Sequence, residues 1–228
     1  MAGPARELVK NVALFSGLGE DALDRLAQQM RHRSFRRGTM VFHKDQVGDA
    51  LYIVESGRVR IFLPTESGAE LWVEFAARGD VFGEVALLDG RPRSASAETV
   101  EDTAVFTISR EDFRRFVTET PQFAWKLIEL LSDRLRHVTE YAESLAFLDV
   151  HARLARVLLE MGERYGAKKN GTVEIDLDLT QADLATMVGA TRERVNRALA
   201  AFRSQGIIEL RGRKITLLDT GKLRQRIY

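Results

Sequence analysis

The chain has 228 residues, 45% apolar and 29% charged, with a formal net charge of +1. This composition fits a globular protein of one large or two modest domains and excludes a disordered or fibrous chain. The absence of cysteine excludes disulfides, zinc–thiolate sites and cysteine-held iron–sulfur clusters, and no apolar run approaches the roughly 20 residues of a membrane-crossing helix.

The near-neutral total conceals a split. Residues 1–149 carry 19 Lys+Arg and 24 Asp+Glu, net −5, whereas residues 150–228 carry 15 and 9, net +6. A basic C-terminal third points to a polyanionic partner there. The N-terminus has early acids and too short an apolar block for a secretory signal, so a cytoplasmic location with no membrane partner is expected.

Residues 7–32 show helical apolar spacing with a break at Leu14–Gly17. From Ser34 the period changes. "TMVFHKD", "ALYIVESGRVRIFLP", "ELWVEFAARGDVF" and "SASAETVEDTAVFTIS" are short β-branched and aromatic runs, with Gly48, Gly57, Gly68, Gly79 and Gly90 at the turns between them. Strands at such close spacing predict an antiparallel β-sandwich or barrel. Beyond "SREDFRRFVTETPQ" the pattern is helical to about Leu148. There Ala124, Ile128, Leu131, Leu135, Val138, Ala142 and Leu145 alternate spacings of 4 and 3. A helix of this span is about 40 Å long at 1.5 Å per residue. A seam this strict predicts a parallel two-stranded coil, hence a homodimer, over a lone helix packed on its own domain.

Asp149 caps a new helix, "HARLARVLLEMGERYG", followed by a period-2 strand, "TVEIDLDL". Then come two helices joined at Gly189, the first begun by a Thr180/Asp183 capping box and the second by Thr191. A strand pair around Gly212 closes the domain. In the second helix Val195, Ala198, Leu199 and Phe202 face the core. Glu193, Asn196, Arg197 and Ala200 lie opposite, with Arg192 at their flank. Arginine forks onto guanine O6 and N7, and glutamate accepts from cytosine N4. Thr191 and Arg194 lie at the helix start, where phosphates are reached. Any surface helix carries charges, but this one sits in the basic third, after a short glycine turn and before a β wing.

"FGEVALLDGRPRSAS" groups a glycine, a carboxylate, two arginines and hydroxyls around one short apolar turn. Gly83 permits close backbone approach, and Asp89-Gly90 reverses the chain to bring Arg93 and Ser94 back toward Glu84. Arg93 and Ser94 suit a singly charged phosphodiester, and Glu84 suits a sugar hydroxyl. An ion pair between Glu84 and Arg93 on a solvated loop explains the spacing equally well. No nucleophile–base pair or metal-ligand spacing stands out, so neither a catalytic residue nor a metal site is expected, and the chain does not read as an enzyme.

Three segments resemble the cyclic-AMP receptor protein (CRP/FNR) family of transcriptional regulators. "FGEVALLDGRPRSAS" resembles its phosphate-binding cassette, "SLAFLDVHARLARVLLEM" its hinge, and "LTQADLATMVGATRERVNRALAAF" its helix–turn–helix. The resemblance implies an α+β chain. A cyclic-nucleotide-binding β-roll would occupy residues 1–120, a long dimerisation helix 121–148, and a winged helix–turn–helix 149–228. It implies cyclic AMP as effector, with cyclic GMP as second choice, held by Gly83, Glu84, Val85, Arg93 and Ser94. It further implies double-stranded DNA with a near-palindromic site, read through Arg192, Glu193 and Arg197. Thr180 and Thr191 match its phosphate contacts, and Arg194 and Asn196 lie beside them. RNA polymerase is an expected partner. The family's two base-facing hydroxyls fall at Val138 and Thr139, and Val138 cannot hydrogen-bond a base amino group. Gln46 stands where the family usually has glycine.

Overall fold

A computed structural model describes residues 3–65, 70–169 and 171–227; Gly68 lies outside them. The chain divides into two compact units, residues 1–135 and 136–228.

The first unit begins with α1 (Pro4–Asn11), a 3-10 turn (Ala13–Phe15) and α2 (Glu20–Gln29). The helical spacing expected over residues 7–32 is therefore interrupted. Gly17 takes a left-handed φ of 79°, and β1 (Arg31–Phe35) already pairs antiparallel with a later strand. The strands that follow are β2 (Met40–Phe42), β3 (Ala50–Ser56), β4 (Val59–Pro64), β5 (Glu70–Ala76), β6 (Val81–Phe82), β7 (Ser96–Thr99) and β8 (Thr103–Ser109). Among the described residues they form two four-stranded antiparallel sheets, ordered β1-β8-β3-β6 and β2-β7-β4-β5.

Strand β3 shows why the run "ALYIVES" is nearly all apolar. Successive side chains point to opposite faces, and both faces are buried. Leu51 and Ile53 pack with Leu8, Phe15, Leu26 and Phe123 of the helices. Tyr52 and Val54 pack with Phe42, Val59, Phe82 and Val105. Gly57 turns the chain between β3 and β4 at φ 83°, and a Cβ there would lie 2.5 Å from the Asp102 carbonyl.

Between β6 and β7 sits the short helix α3 (Val85–Asp89), ended by Gly90 at φ 74°. After β8 comes α4 (Arg110–Glu119), begun by Ser109, whose hydroxyl accepts from the Asp112 N–H. Helix α5 (Pro121–Phe147) follows and runs unbroken from one unit into the other. Along it Ile128, Leu135, Val138, Ala142 and Leu145, five of the seven seam positions, are exposed.

The second unit contains α6 (Val150–Tyr165), capped by Asp149, whose carboxylate accepts from the Ala152 N–H at 2.8 Å. Then come β9 (Ala167–Lys169), β10 (Thr172–Ile175), α7 (Gln181–Val188), α8 (Arg192–Ser204), β11 (Ile208–Arg211), β12 (Lys214–Leu217) and α9 (Thr220–Arg224). The sheet order is β11-β12-β10-β9. The strand read from "TVEIDLDL" stops at Ile175, and Asp178, at φ 53°, turns the chain toward α7. Helix α6 supplies Leu154, Ala155, Leu158 and Leu159 to the core, and α8 supplies Val195, Ala198, Leu199 and Phe202.

Candidate functional site

The stretch around α3 places its charges inside the protein. Glu84 is fully buried and Arg93 is 2% exposed. Burying an ion is costly unless hydrogen bonds and counter-charges compensate it, and each residue has its own compensation.

Arg93 lies in a socket. Its Nη1 donates to the Gly83 carbonyl and its Nη2 to the Ala50 carbonyl, both at 2.6 Å. The guanidinium stacks on the Phe42 ring, 4.2 Å from its centroid, with Tyr52 at 5.7 Å. Opposite the aromatics runs the β2–β3 loop, tied to the Arg93 backbone by Arg93 N–H to Gln46 O and Asp45 N–H to Arg93 O. The Gln46 side chain closes the loop's turn by accepting from the His43 N–H. So glutamine is accommodated where glycine is the familiar residue, and the left-handed position falls on Asp45 at φ 66°. Gly48 presses directly on Arg93: a Cβ there would lie 3.0 Å from Cζ and Nε. Gly83 is needed twice over, since its φ is 81° and a Cβ would lie 2.6 Å from Arg93 Nη1. Burial holds the guanidinium below its ordinary pKa, against the pull of Tyr52, Asp49 and Glu84.

Glu84 stands at the N-cap position of α3 without a side-chain cap bond and pairs with Arg134 of α5, not with Arg93 as the loop ion pair would have it. Arg134 also donates to the Val81 carbonyl at 2.6 Å, and its Nη2 lies 3.8 Å from Glu74 Oε2. Burial pushes the Glu84 carboxyl above its ordinary range, and the Arg134 guanidinium pulls it back. Arg134 is the residue that sequence reasoning missed. It lies on the seam-bearing helix outside the apolar spacing, where a charge reads as ordinary solvated surface.

Two polar atoms of this site, Glu84 Oε2 and Arg93 Nε, are buried and lack a hydrogen-bond partner among the described residues. Such atoms are rare in folded proteins and call for an explanation. Glu84 Oε2 is an acceptor waiting for a hydroxyl or amine. Arg93 has five N–H bonds, of which the two backbone carbonyls take two, so donors remain for an anion. The pair suits a small ligand with a hydroxyl at one end and a negative charge at the other. Val85 is half-buried and Ser94 exposed beside them. Val138 and Thr139 are exposed on α5 in the second unit.

The helix pair of the second unit matches its sequence signals in detail. The Thr180 hydroxyl accepts from the Asp183 N–H at 3.1 Å, and Asp183 Oδ2 accepts from the Thr180 N–H at 2.7 Å, a reciprocal capping box. Gly189 ends α7 in the left-handed region at φ 64°. Thr191 caps α8 by accepting from the Arg194 N–H. Arg192, Glu193, Arg194, Arg197 and Ala200 are exposed, while Val195, Ala198 and Leu199 are buried. Arg197 lies 3.8 Å from Glu193, so these two hold one loose pair on the solvent face. Asn196 is half-buried, and its Oδ1 is shielded from solvent without a partner among the described residues. No helix among the described residues is long and apolar enough to cross a membrane.

Comparison with known proteins agrees with both halves. Residues 32–120 match the cyclic nucleotide-binding domain family, and residues 152–226 match the Crp-like helix-turn-helix domain family. A CRP-like cAMP-activated global transcriptional regulator of Mycobacterium tuberculosis is 34% identical over 220 residues, 96% of this chain and 98% of that protein. A cyclic AMP receptor protein of Thermus thermophilus is 33% identical, over 89% of this chain and 90% of its own. Among solved structures, FixK2 from Bradyrhizobium japonicum superposes with a TM-score of 0.78 at 28% identity, covering 87% of this chain and 98% of that one. The c-di-GMP responsive global regulator CLP of Xanthomonas campestris superposes at 0.76 with 26% identity, covering 87% and 99%.

Proposed function

The chain belongs to the CRP/FNR family of transcriptional regulators, and on that premise we propose that it is a cyclic-AMP-responsive, sequence-specific DNA-binding regulator acting as a cytoplasmic homodimer. The observation that carries the ligand half is the pair of buried, unpartnered atoms Glu84 Oε2 and Arg93 Nε. In this reading the free N–H bonds of Arg93 and the Ser94 hydroxyl donate to the cyclic phosphate. Glu84 accepts from the ribose 2′-hydroxyl, and the backbone of Gly83 and Val85 lines the same end. Val138 and Thr139 take the family's base-facing positions.

The dimer reading is supported by the exposed seam of α5, where Leu135 is 67% and Val138 55% accessible. Apolar residues at this spacing favour burial against a partner helix. A two-fold dimer presents its two α8 helices to successive major grooves about 34 Å apart, so the site is a near-palindrome. Arg192, Glu193 and Arg197 read bases; Thr180, Thr191, Arg194 and Asn196 serve the backbone and groove edge. RNA polymerase is the downstream partner. Ligand raises DNA affinity by a coupling of about 1–3 kcal/mol, roughly 5- to 150-fold.

One observation favours a second reading. Val138 offers no hydrogen bond to an adenine amino group, which suits a same-fold regulator that is constitutive or answers another ligand such as cyclic GMP. Isothermal titration with cyclic AMP and cyclic GMP, followed by operator titration at fixed salt with and without each nucleotide, separates the two. Saturable heat with cyclic AMP and tighter DNA binding in its presence support the first reading. DNA binding indifferent to either nucleotide establishes the second.

A further inference from the structure

Arg110, the first residue of α4, is half-buried and reaches away from its own helix. Its Nη2 donates to the Gly48 carbonyl at 2.5 Å and to the Ala86 carbonyl at 3.0 Å, and its Nε donates to Gly48 O at 3.2 Å. Its backbone N–H donates to Asp49 O at 2.8 Å. One residue therefore fastens the β2–β3 loop to helix α3. These are the two pieces that flank the ligand groups. Gly48 is the wall on which the Arg93 guanidinium rests, and a Cβ on Gly48 would lie 2.6 Å from the Ala86 Cβ. Ala86 stands two residues beyond Glu84 on α3.

The chain of contacts runs from Arg110 to Gly48 to Arg93 on one side, and from Arg110 through Ala86 to Glu84 on the other. Without Arg110, the Gly48 and Ala86 carbonyls lose a charged donor. The loop then keeps its backbone bonds to Arg93 but loses this charged bridge from Gly48 to α3. A bidentate charge-assisted clamp fixes geometry as well as energy, and a short five-residue helix has little rigidity of its own.

We infer that Arg110 is a positioning residue for ligand binding: it sets the separation between the guanidinium of Arg93 and the carboxylate of Glu84 without touching the ligand. The inference rests on the cyclic-nucleotide reading of that site. It assigns Arg110 an effect on affinity transmitted through Arg93, which a purely structural role would not produce.

The test is a double-mutant cycle on the full-length protein, read by isothermal titration with cyclic AMP well below the thermal midpoints. Arg110→Met weakens cyclic AMP binding about tenfold in the wild-type background, the range typical of residues that orient a contact group from behind. In an Arg93→Lys background the same substitution costs clearly less, because one of the two groups whose separation it sets is gone. Arg110→Lys keeps the charge but not the fork, and falls between wild type and Arg110→Met. Should Arg110→Met fail to fold, Arg110→Lys in both backgrounds carries the same comparison. Wild-type affinity in the Arg110 variants, or an equal loss with and without Arg93, overturns the inference while leaving the ligand reading intact. A wild-type protein that takes up neither cyclic AMP nor cyclic GMP overturns both.

Discussion

The α3 region and helix α8 use the same side-chain types in opposite ways. Arg93 and Glu84 are buried, Arg93 held by two backbone carbonyls and Glu84 by Arg134. Arg197 and Glu193 are exposed, with side-chain accessibilities of 68% and 82%, and lie 3.8 Å from each other. A buried guanidinium is oriented before any ligand arrives, so its contribution is geometric, specific and poorly screened by salt. An exposed one is hydrated and mobile, so its contribution is long-range attraction until it docks. Sensing one small molecule and scanning a long polyanion call for these two designs respectively.

The largest effect expected from this contrast follows removal of Arg93. Arg93→Ala should cost about 2–5 kcal/mol in cyclic AMP binding, as for truncating one partner of a buried charge pair. Nucleotide-free binding to DNA should stay unchanged; titration calorimetry and fluorescence anisotropy read the two halves. On the exposed side, Arg197→Ala should cost about 1–3 kcal/mol of discrimination between the preferred half-site and a mismatched one, with cyclic AMP affinity untouched. If competition binding shows equal loss on all sequences, Arg197 is a phosphate contact. Arg194→Ala should do just that, lowering affinity on every sequence and reducing the slope of log K against log salt by about one.

How much of this was legible beforehand differs between the same two regions. The capping box at Thr180, the Thr191 cap and the Gly189 turn are local hydrogen-bond chemistry within a few residues, and the structure reproduces each. The pocket depends on contacts far apart in sequence. That Glu84 meets Arg134 and not Arg93 follows from where α5 passes the sheet, and no periodicity carries that information. The Arg110 clamp spans 62 residues to Gly48. Strand β1 likewise lacks an apolar alternation, since four of its five residues are exposed and only its pairing with β8 defines it.

Two smaller effects sharpen the contrast. Thr180→Ala removes one reciprocal cap of α7 and should cost about 1 kcal/mol of stability, read as a lowered thermal midpoint, with nucleotide binding retained. Glu84→Gln tests the buried carboxylate in the ligand-free protein. Burial raises its pKa in the folded state, so the folded chain binds this proton more readily than the unfolded one. Its stabilising contribution is present below the ordinary glutamate range and fades as pH rises through the raised value. The wild-type midpoint should therefore fall over that interval relative to Glu84→Gln, whose amide does not titrate. Parallel pH profiles for the two proteins would show that Arg134 compensates the buried charge fully.

The glycine at position 83 also constrains how the arginine socket can change over time. Its left-handed backbone tolerates asparagine or aspartate in principle, but any side chain there runs into the arginine terminus 2.6 Å from where its first carbon would sit. A residue with a Cβ at this position therefore either pushes the arginine terminus out of its socket or follows a change at 93 that shortens it. The two positions should therefore vary together, a bulky residue at 83 appearing alongside a displaced or shorter side chain at 93.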